Sequence, residues 1–405
     1  MIIRQPSWSP ADKNHTPRSL PPFASQQLVL TIFDTAQQAG CEARIVGGAV
    51  RDWLAGLPVG DIDMAVNMPI ETFAINLEKA GLRVINTGLS HGTVTVFQDN
   101  ARIEVTHTRL DTETDGRHAK VIHSPDWLED ARRRDFTINA IYMDVSGVLF
   151  DPLNGQDDLK QANLRFVGDA DQRVHEDALR MLRYCRFLHR FGHGNIDADA
   201  RAAFRRNAAL ARNLSGERVR AEMQLILLAD GAATACQLMQ ETGLAKAACD
   251  IDFNVGYLAP DGAPDRHDWL IGLASIMPSG AAVSLAKRLR LSKVEARRLQ
   301  AMDRDIDPAL PDLAGDEWQQ AAWFLGHDAA AIYAVKTRRA QAQFSATRWD
   351  ELQSWTAPEC PVTGADLLSH GVDNGPVCGE ILLKLQKQWV ASGFTLGKSD
   401  LLTKI

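Results

Sequence analysis

Hydrophobic periodicity in this 405-residue chain changes near residue 150. Before that point, the apolar run in ARIVGG and the alternating runs HGTVTVFQ and ARIEVTHTR are typical of strands. After it, segments such as ERVRAEMQLILLAD and CGEILLKLQKQWVASG show the apolar spacing of helices. The pattern therefore predicts a small α/β domain, over residues 26–150, followed by a long helical remainder. Residues 1–25, rich in Pro and polar side chains, are predicted to form a flexible tail.

Composition narrows the class of protein. Hydrophobic residues make up 45% of the chain and charged residues 23%, which is typical of soluble globular proteins. We expect a cytoplasmic protein with free thiols, because there is no membrane-spanning run or signal-peptide pattern and the six cysteines form no CxxC pair. A net charge of −7 means that any RNA binding must use a local basic surface.

Two aspartates in DIDMAV, Asp61 and Asp63, are separated by one residue of a predicted strand. Residues i and i+2 of a strand project from the same face, so the two carboxylates should lie side by side. A cation would relieve their repulsion, and Mg²⁺ prefers oxygen ligands. Glu104, in the predicted strand RIEVT, is the candidate third acid. Because an isolated DxD is more often a solvated strand end, this interpretation depends on the residues around it.

A glycine pair, Gly47 and Gly48, lies between a predicted strand and the predicted short helix VRDWLAGL. Backbone N–H groups without a side chain above them can approach a phosphate closely at a helix start. Arg51, in the first turn of that helix, could add a charged fork to the same oxygens. The alternative is a plain tight turn, but the two aspartates a dozen residues later favour a phosphate site.

The stretch VGGAVRDWLAGLPVGDIDM closely resembles the signature of the class II nucleotidyltransferases, which comprise CCA-adding enzymes and bacterial poly(A) polymerases. Further blocks match in order: RRDFTINA, DPLNGQDDL, HEDALRMLRYCRF and LSGERVRAEM. The resemblance implies a polymerase-β-like α/β nucleotidyltransferase head over residues 26–150. It also implies an all-α neck with base recognition over residues 151–235, and an all-α body and tail that bind tRNA over residues 236–405.

The resemblance also implies roles for individual residues. Asp61 and Asp63 would be the magnesium ligands, and Gly48 and Arg51 would bind the nucleotide. In the block RRDFTINA, Arg134 would contact the nucleotide and Asp135 would accept a hydrogen bond from the ribose 2′-OH, a group that only ribonucleotides carry.

The segment EDALRMLRYCR is predicted to be one helix, with Asp177, Arg180, Arg183 and Arg186 as a stripe along one side. A carboxylate only accepts hydrogen bonds and a guanidinium only donates them. Asp177 beside Arg180 would therefore pair with cytosine or adenine, which place an amino donor next to a ring acceptor, and would reject guanine and uracil. The family resemblance assigns the same templating role to these two residues, and it assigns nucleotide binding to Arg183 and Arg186. A solvated charged face is the alternative for an isolated stripe.

Two further predictions concern neighbouring residues. We expect Asn139 in RRDFTINA to be a buried amide bonded to backbone. The polar segment RLDTETDGRHAKVIHSPDW is predicted to be a loop that matches the family's flexible loop, although its opening, THTRLDTETDG, departs from the usual family pattern. That departure leaves open whether the loop changes the nucleotide specificity.

Together these residues predict a magnesium-dependent enzyme that adds CCA to the acceptor 3′ end of tRNA from CTP and ATP. A poly(A) polymerase, or an enzyme that adds only CC or only A, shares the same head motifs and stays an alternative. A catalytically inactive RNA-binding protein is a second alternative, from another class. We expect neither a membrane nor DNA as a partner, and the sequence indicates no protein partner.

Overall fold

The computed structural model of the chain describes residues 20–88, 92–114, 119–305, 308 and 310–405. Residues 1–19 of the predicted tail and residues 115–118 of the predicted loop lie outside the described residues. Contacts between Cα atoms divide the chain into two units, Met1–Ala248 and Cys249–Ile405. The boundaries predicted at residues 150 and 235 fall inside the first unit and stay predictions.

The first unit contains an α/β head and then helices, which confirms the predicted fold class. In chain order its elements are α1 (Gln27–Gln38), β1 (Ala43–Val46), α2 (Gly48–Leu54), β2 (Asp63–Val66), α3 (Ile70–Lys79), β3 (Arg83–Gly88), β4 (Thr93–Gln98), β5 (Ala101–His107), β6 (Arg109–Thr114), β7 (Ala119–His123), α4 (Trp127–Arg132), β8 (Tyr142–Met143), β9 (Leu149–Phe150), α5 (Gly155–Lys160), α6 (Ala170–Glu176), α7 (Leu179–Gly192), α8 (Ala198–Asn207), α9 (Gly216–Leu228), α10 (Ala232–Glu241) and α11 (Leu244–Cys249), the last of which crosses the unit boundary.

Among the described residues, seven strands form one sheet in the order β3-β4-β5-β2-β1-β8-β9. The strands β2 and β5 are parallel, whereas the other neighbouring pairs are antiparallel. Apolar residues of β2 alternate between two clusters. Met64 and Val66 lie in the main head core, while Ala65 packs in the cluster of Trp127 on the opposite face. Because side chains alternate along a strand, Asp63 shares the face of Ala65.

The head begins earlier than the sequence predicts. Phe23 and Ala24, which fall in the predicted flexible tail, are buried in the main head core. The Phe23 ring lies 6.2 Å from the ring of Trp53 in an edge-on arrangement. The tail boundary at residue 25 is therefore placed too late, because apolar residues before it pack against the C-terminal part of α2.

The segment predicted as a polar loop also differs. It contains two antiparallel strands, β6 and β7, which form a two-stranded sheet of their own. Both strands carry β-branched residues, which favour extended backbone even in a polar segment. The Thr108 N–H, just before β6, donates to the Val66 carbonyl of β2, and the Ser124 N–H, just after β7, donates to the Thr108 carbonyl. Thr108 therefore attaches the two-stranded sheet to the main sheet.

Buried aromatic rings connect the head sequence to the helices that follow it. Phe136 lies 5.1 Å from Phe166 and 6.0 Å from Tyr184, and Tyr184 lies 5.4 Å from Phe204. All four rings are buried. Burial of aromatic side chains contributes much of the hydrophobic stabilisation of a core, so this cluster holds the residues next to Phe136 against α7 and α8.

The block DPLNGQDDL supports the short 3-10 helix Thr137–Asn139. The Asp151 carboxylate accepts hydrogen bonds from the N–H groups of Gly155 and Gln156, both at 2.8 Å, at the start of α5. Asp158 in α5 accepts a hydrogen bond of 2.6 Å from the Thr137 hydroxyl. Because α5 packs this closely, a Cβ at Gly155 would overlap the Thr137 carbonyl oxygen.

The second unit is helical in its described residues. Its helices are α12 (Trp269–Ile276), α13 (Ala282–Arg288), α14 (Lys293–Asp303), α15 (Trp318–Leu325), α16 (Ala329–Arg339), α17 (Ala346–Ser354), α18 (Gly364–Ser369), α19 (Pro376–Ala391) and α20 (Lys398–Leu402). Trp389 packs edge-on against Trp323 at 5.6 Å and Phe394 at 5.1 Å. None of the described helices has the length and apolar character needed to cross a membrane.

Substitution of Gly155 tests the packing of α5 on the 3-10 helix. Gly155→Ala should lower the free energy of unfolding by about 2 kcal/mol, because the added methyl group displaces a backbone carbonyl. The measurement is chemical denaturation of the full chain. Gly379→Ala in α19, where a Cβ meets no atom within 4 Å, is the control and should not destabilise the protein. Equal stability of the two variants would contradict the packing argument.

Candidate active site

The acidic residues converge where β2 begins. Asp63 is the first residue of β2 and lies opposite Glu104 in the parallel register with β5. Asp61 lies two residues before the strand and is exposed. The strand predicted over DIDMAV therefore begins at Asp63, and Asp61 and Ile62 belong to the preceding loop. Asp63 and Glu104 become neighbours across the sheet instead, a relation that spacing along the chain does not show.

The local environment of Asp63 disfavours its charged form. Loss of hydration raises its pKa from 3.8 to about 6, with further increases from Glu104 and Asp61 that are partly offset by Arg134. Part of the side chain still faces solvent. A carboxylate whose neighbours are also acids is stabilised by a cation.

The carboxylates suit a hard divalent cation as donors. Within the described part of the chain, no group of three or more His, Cys, Asp or Glu side chains is arranged around a metal position. Mg²⁺ is commonly held by one or two carboxylates together with water and substrate phosphates, so a site with fewer than three protein ligands is compatible with this ion.

The glycine pair shapes the adjacent turn. Gly47 has φ of +70° and precedes α2, which starts at Gly48. A Cβ at Gly47 would lie 3.5 Å from the Arg134 guanidinium, and one at Gly48 would lie 3.7 Å from the Arg51 guanidinium. The turn therefore needs glycine for its backbone conformation, and the bare backbone leaves room in front of two arginines.

Arg51 is buried and held by several groups. Its Nε donates to Asp52 at 2.8 Å, and its Nη1 donates to the Asn139 side-chain oxygen at 2.6 Å. Its guanidinium also lies 4.8 Å and 4.4 Å from the rings of Phe187 and Phe191 in α7. These contacts fix the orientation of the guanidinium before any ligand binds.

Arg134 and Asp135 lie immediately after α4. Arg134 donates to the Tyr142 hydroxyl at 3.0 Å and to Asp130 at 3.1 Å. Asp135 is bound by Arg183 of α7, whose Nε and Nη2 lie 2.8 and 2.7 Å from Oδ2. Burial raises the pKa of Asp135, but the Arg183 charge and the hydrogen bonds it accepts outweigh burial, so its pKa is lowered.

The predicted helical stripe is interrupted at its first member. Asp177 has extended backbone, with φ of −153° and ψ of 106°, and lies between α6 and α7. Its Oδ1 accepts a hydrogen bond of 3.0 Å from the Leu179 N–H, so the side chain itself begins α7. The prediction of one continuous helix through Asp177 is therefore wrong. A side chain that satisfies a free N–H at a helix start favours a break that hydrophobic spacing does not reveal.

The three arginines of the stripe do lie on α7. Arg180 donates to Glu176 at 2.5 Å and to the backbone carbonyl of Arg133 at 3.0 Å. Arg186 donates to Glu222 of α9 at 3.3 Å. The other Asp177 oxygen, Oδ2, accepts from Arg218 at 2.7 Å. Every charged member of the predicted stripe is thus paired with protein rather than solvated.

A cavity of about 500 Å³ brings many of the predicted residues together. Its lining includes these residues from the predictions: Gly47, Gly48, Arg51, Asp63, Arg134, Asp135, Arg183 and Arg186. The predicted residues outside the lining are Asp61, Glu104, Asp177 and Arg180. The prediction missed Asn139, Phe187, Arg190, Leu225 and Ala229. Two of these had a signal in the sequence: Asn139 lies in the block RRDFTINA, and Arg190 follows Arg186 by four residues, about one helical turn.

The raised pKa of Asp63 has a consequence for stability. Between pH 4 and 6 the folded protein binds the proton of Asp63 more tightly than the unfolded chain does, so stability falls as pH rises through this window. Asp63→Asn, in the presence of a chelator, should therefore raise the melting temperature at pH 7 and give a smaller increase at pH 4.5. Asp34→Asn, on the exposed side of α1, is the control. A lower melting temperature of the Asp63 variant at pH 7 would contradict the electrostatic account.

Sequence comparisons match both parts of the first unit. The family described as "Poly A polymerase head domain" matches residues 43–165. The family described as "Probable RNA and SrmB- binding site of polymerase A" matches residues 195–248. The first match covers the main sheet and the glycine turn, and the second covers α8, α9, α10 and most of α11.

Full-length relatives extend the similarity to the whole chain. The mitochondrial CCA tRNA nucleotidyltransferase 1 of Mus musculus is 34% identical, over 90% of this chain and 86% of its own length. The CCA-adding enzyme of Latilactobacillus sakei is 29% identical, over 91% of this chain and 94% of its own. The crystal structure of the Bacillus stearothermophilus CCA-adding enzyme with CTP superimposes with a TM-score of 0.72 and 28% identity, covering 92% of this chain and 94% of that one. The chain therefore belongs to the CCA-adding enzyme family of nucleotidyltransferases.

Proposed function

We propose that this protein adds CCA to the 3′ end of tRNA, using CTP and ATP without a nucleic-acid template. The RNA 3′-hydroxyl attacks the α-phosphate and pyrophosphate leaves. The observation that carries the proposal is the cavity, because groups suited to phosphate, ribose and catalytic metal line one space. The relatives that match along nearly the whole chain are named for this activity.

Each part of a nucleoside triphosphate has a matching group. The triphosphate lies against the turn at Gly47 and Gly48, with Arg51 as a charged donor. The ribose 2′-OH donates to Asp135, and Arg183 and Arg186 add positive charge from α7. Asp61 and Asp63 hold Mg²⁺, with Glu104 as the third acid, and Mg²⁺ when bound supplies activation of the attacking hydroxyl and stabilisation of the departing pyrophosphate.

The base is selected by hydrogen-bond polarity at Asp177 and Arg180. The carboxylate of Asp177 accepts from the amino group of cytosine or adenine, and the Arg180 guanidinium donates to the adjacent ring nitrogen. Arg180 uses its Nη1 and Nη2 groups on Glu176 and two backbone carbonyls, so its Nε–H is available to a base. Guanine and uracil place a carbonyl and a ring N–H at these positions, which sets like groups against each other.

The proposal also concerns RNA binding and location. Arginines on α8 and α9 provide a local basic surface for the phosphates of an acceptor arm, although the net charge of the chain is negative. All six cysteines lie in the described part of the chain and are free thiols, which supports a reducing compartment such as the cytoplasm. The mouse relative is named as mitochondrial.

A primer-extension assay tests the activity. The full chain is incubated with Mg²⁺, a tRNA transcript that lacks CCA, and each labelled nucleotide singly and in pairs. We expect two C residues with CTP alone and a terminal A once ATP is added. A long A tail would indicate a poly(A) polymerase, and a stop after CC would indicate an enzyme that adds only CC. Absence of incorporation would contradict the proposal and favour a protein that only binds RNA.

Removal of a catalytic carboxylate tests the assignment of the acids. Asp61→Ala should reduce incorporation by about 100-fold or more, because the lost carboxylate would be a ligand of the Mg²⁺ that stabilises the negative charge of the departing pyrophosphate. The exposed position of Asp61 predicts an unchanged circular-dichroism spectrum and melting temperature. Asp34→Ala in α1 is the control and should keep full activity. Incorporation at the unmodified rate by the Asp61 variant would exclude the carboxylate from catalysis.

Base selection has its own test. Asp177→Ala should reduce the preference for CTP over UTP about 10-fold, since a lost hydrogen bond to a charged group costs roughly 1.5–3 kcal/mol. The measurement is kcat/KM for each nucleotide in the first addition step. Asp199→Ala, an exposed acid on α8, is the matched control. An unchanged CTP-to-UTP ratio in the Asp177 variant would remove this residue from base recognition.

A further inference from the structure

Asn139 occupies the centre of the candidate site, and its contacts differ from the sequence prediction. It is the last residue of the 3-10 helix Thr137–Asn139 and is only 6% exposed. The sequence predicts an amide bonded to backbone. Instead, its Oδ1 accepts from Arg51 at 2.6 Å and its Nδ2 donates to Asp135 at 2.8 Å. The amide therefore joins two side chains that stand 84 positions apart in the sequence and that we assign to the phosphates and the ribose.

The chemistry of the two partners determines which way the amide points. Arg51 has only donors and the ionised Asp135 has only acceptors, so the bridging group must accept at one end and donate at the other. Asparagine does both within one planar group. A carboxylate in the same place could not donate to Asp135 and would repel it. An apolar side chain would remove one hydrogen bond from the Arg51 Nη1 and one from the Asp135 Oδ1 in a buried site.

The backbone of Asn139 contacts a third residue of the site. Its carbonyl accepts a hydrogen bond of 3.4 Å from Arg134. Asp135 in turn binds Arg183 of α7. Arg51 binds Asp52, which accepts a hydrogen bond of 3.3 Å from Arg190 of α7. Asn139 thus lies in the middle of one continuous series of charged and polar contacts between α2 and α7.

Protein groups occupy most acceptor positions of Asp135. Its Oδ1 accepts from the Phe136 N–H at 2.9 Å and from Asn139 at 2.8 Å, while its Oδ2 accepts from the Arg183 Nε at 2.8 Å and lies 2.7 Å from the Arg183 Nη2 in the same ion pair. A carboxylate offers about four lone-pair positions. The Arg183 guanidinium therefore covers the Oδ2 side of Asp135, and a ribose hydroxyl gains room there when Arg183 moves towards the negatively charged phosphates of a nucleotide.

We propose that Asn139 is a positioning residue that couples triphosphate binding at Arg51 to recognition of the ribose 2′-OH by Asp135. When Arg183 turns towards the nucleotide, Asn139 and the Phe136 N–H keep the Asp135 carboxylate in place. Selection of ribonucleotides over 2′-deoxyribonucleotides then depends on Asn139, although this side chain makes no contact with the sugar. The inference rests on the proposed function, since it concerns the same nucleotide.

The ratio of kcat/KM for CTP to that for 2′-dCTP, in the first addition to a tRNA transcript lacking CCA, tests the inference. In the full chain, Asn139→Ala should lower this ratio at least 10-fold. The decrease in kcat/KM should be larger for CTP than for 2′-dCTP, because 2′-dCTP has no 2′-hydroxyl for Asp135 to bind. Asn139→Asp should lower the ratio at least as far, because its carboxylate repels Asp135.

The control is Asn207→Ala. Asn207 is also buried, and its amide donates to Asp171 and to the Ala203 carbonyl outside the cavity. This variant should keep the ratio of the unmodified protein even if its melting temperature falls. It therefore separates a general loss of stability from a loss of ribose selection.

A further variant keeps the inference testable if Asn139 cannot be replaced without unfolding. Arg51→Lys should also lower the CTP-to-2′-dCTP ratio, because a lysine ammonium lacks the planar fork with which Arg51 binds Asp52 and the Asn139 amide from two separate nitrogens. Equal losses on both nucleotides in the Asn139 or Arg51 variants would overturn the coupling and leave a structural role alone. If the unmodified protein extends the tRNA with neither nucleotide, the proposed function itself fails.

Discussion

The ion pair between the buried Asp135 and the half-buried Arg183 is the interaction on which the rest of the site depends. It joins the residues that follow α4 to the long helix α7, and both partners line the cavity. A buried charge is compatible with a stable fold only when its remaining hydrogen-bond positions are filled. Here the Phe136 N–H and the Asn139 amide donate to the other carboxylate oxygen of Asp135, and together with Arg183 they lower its pKa despite burial.

The same pairing explains how the site can be rigid and still bind a nucleotide. Arg51, Arg134, Arg180 and Arg183 each have protein partners. Unpaired arginines in such a cluster would repel one another and would not keep a fixed orientation. Nucleotide binding then exchanges some of these partners for phosphate or base atoms rather than creating new order, which lowers the entropic cost of binding.

Much of the head could be predicted from the sequence. The glycine turn, β1, α2 and the acids at β2 follow from short-range patterns that the structure confirms as elements. The strands β8 and β9 have two residues each, too few to show a period, and β3 (RVINTG) lacks a clear alternation. Asp177 is not helical because its side chain accepts a hydrogen bond from the Leu179 N–H at the start of α7. Hydrophobic periodicity does not reveal such a local hydrogen bond.

Other features could not be read from the chain because they depend on tertiary contacts. Asn139 meets Arg51 from 88 positions away. The sequence predicts Glu104 as the third acid, but it does not show the parallel strand pairing that sets Glu104 opposite Asp63. Neither relation has a periodicity, so spacing alone could not distinguish the Asn139 bridge from an ordinary buried amide. The role of the DPLNGQDDL block also depends on a tertiary contact, because Gly155 packs closely on the Thr137 carbonyl.

We propose that one nucleotide extends from the glycine turn, through the cavity, to Asp177 and Arg180 at the start of α7. A crystal structure of the full chain with a non-hydrolysable CTP analogue tests this placement. We expect the triphosphate on Gly48 and Arg51, the ribose 2′-OH on Asp135, and the cytosine edge between Asp177 and Arg180, with Arg183 turned away from Asp135. A cytosine that contacts neither Asp177 nor Arg180, or an Asp135 that is still paired with Arg183 and has no contact with the ribose, would contradict this placement.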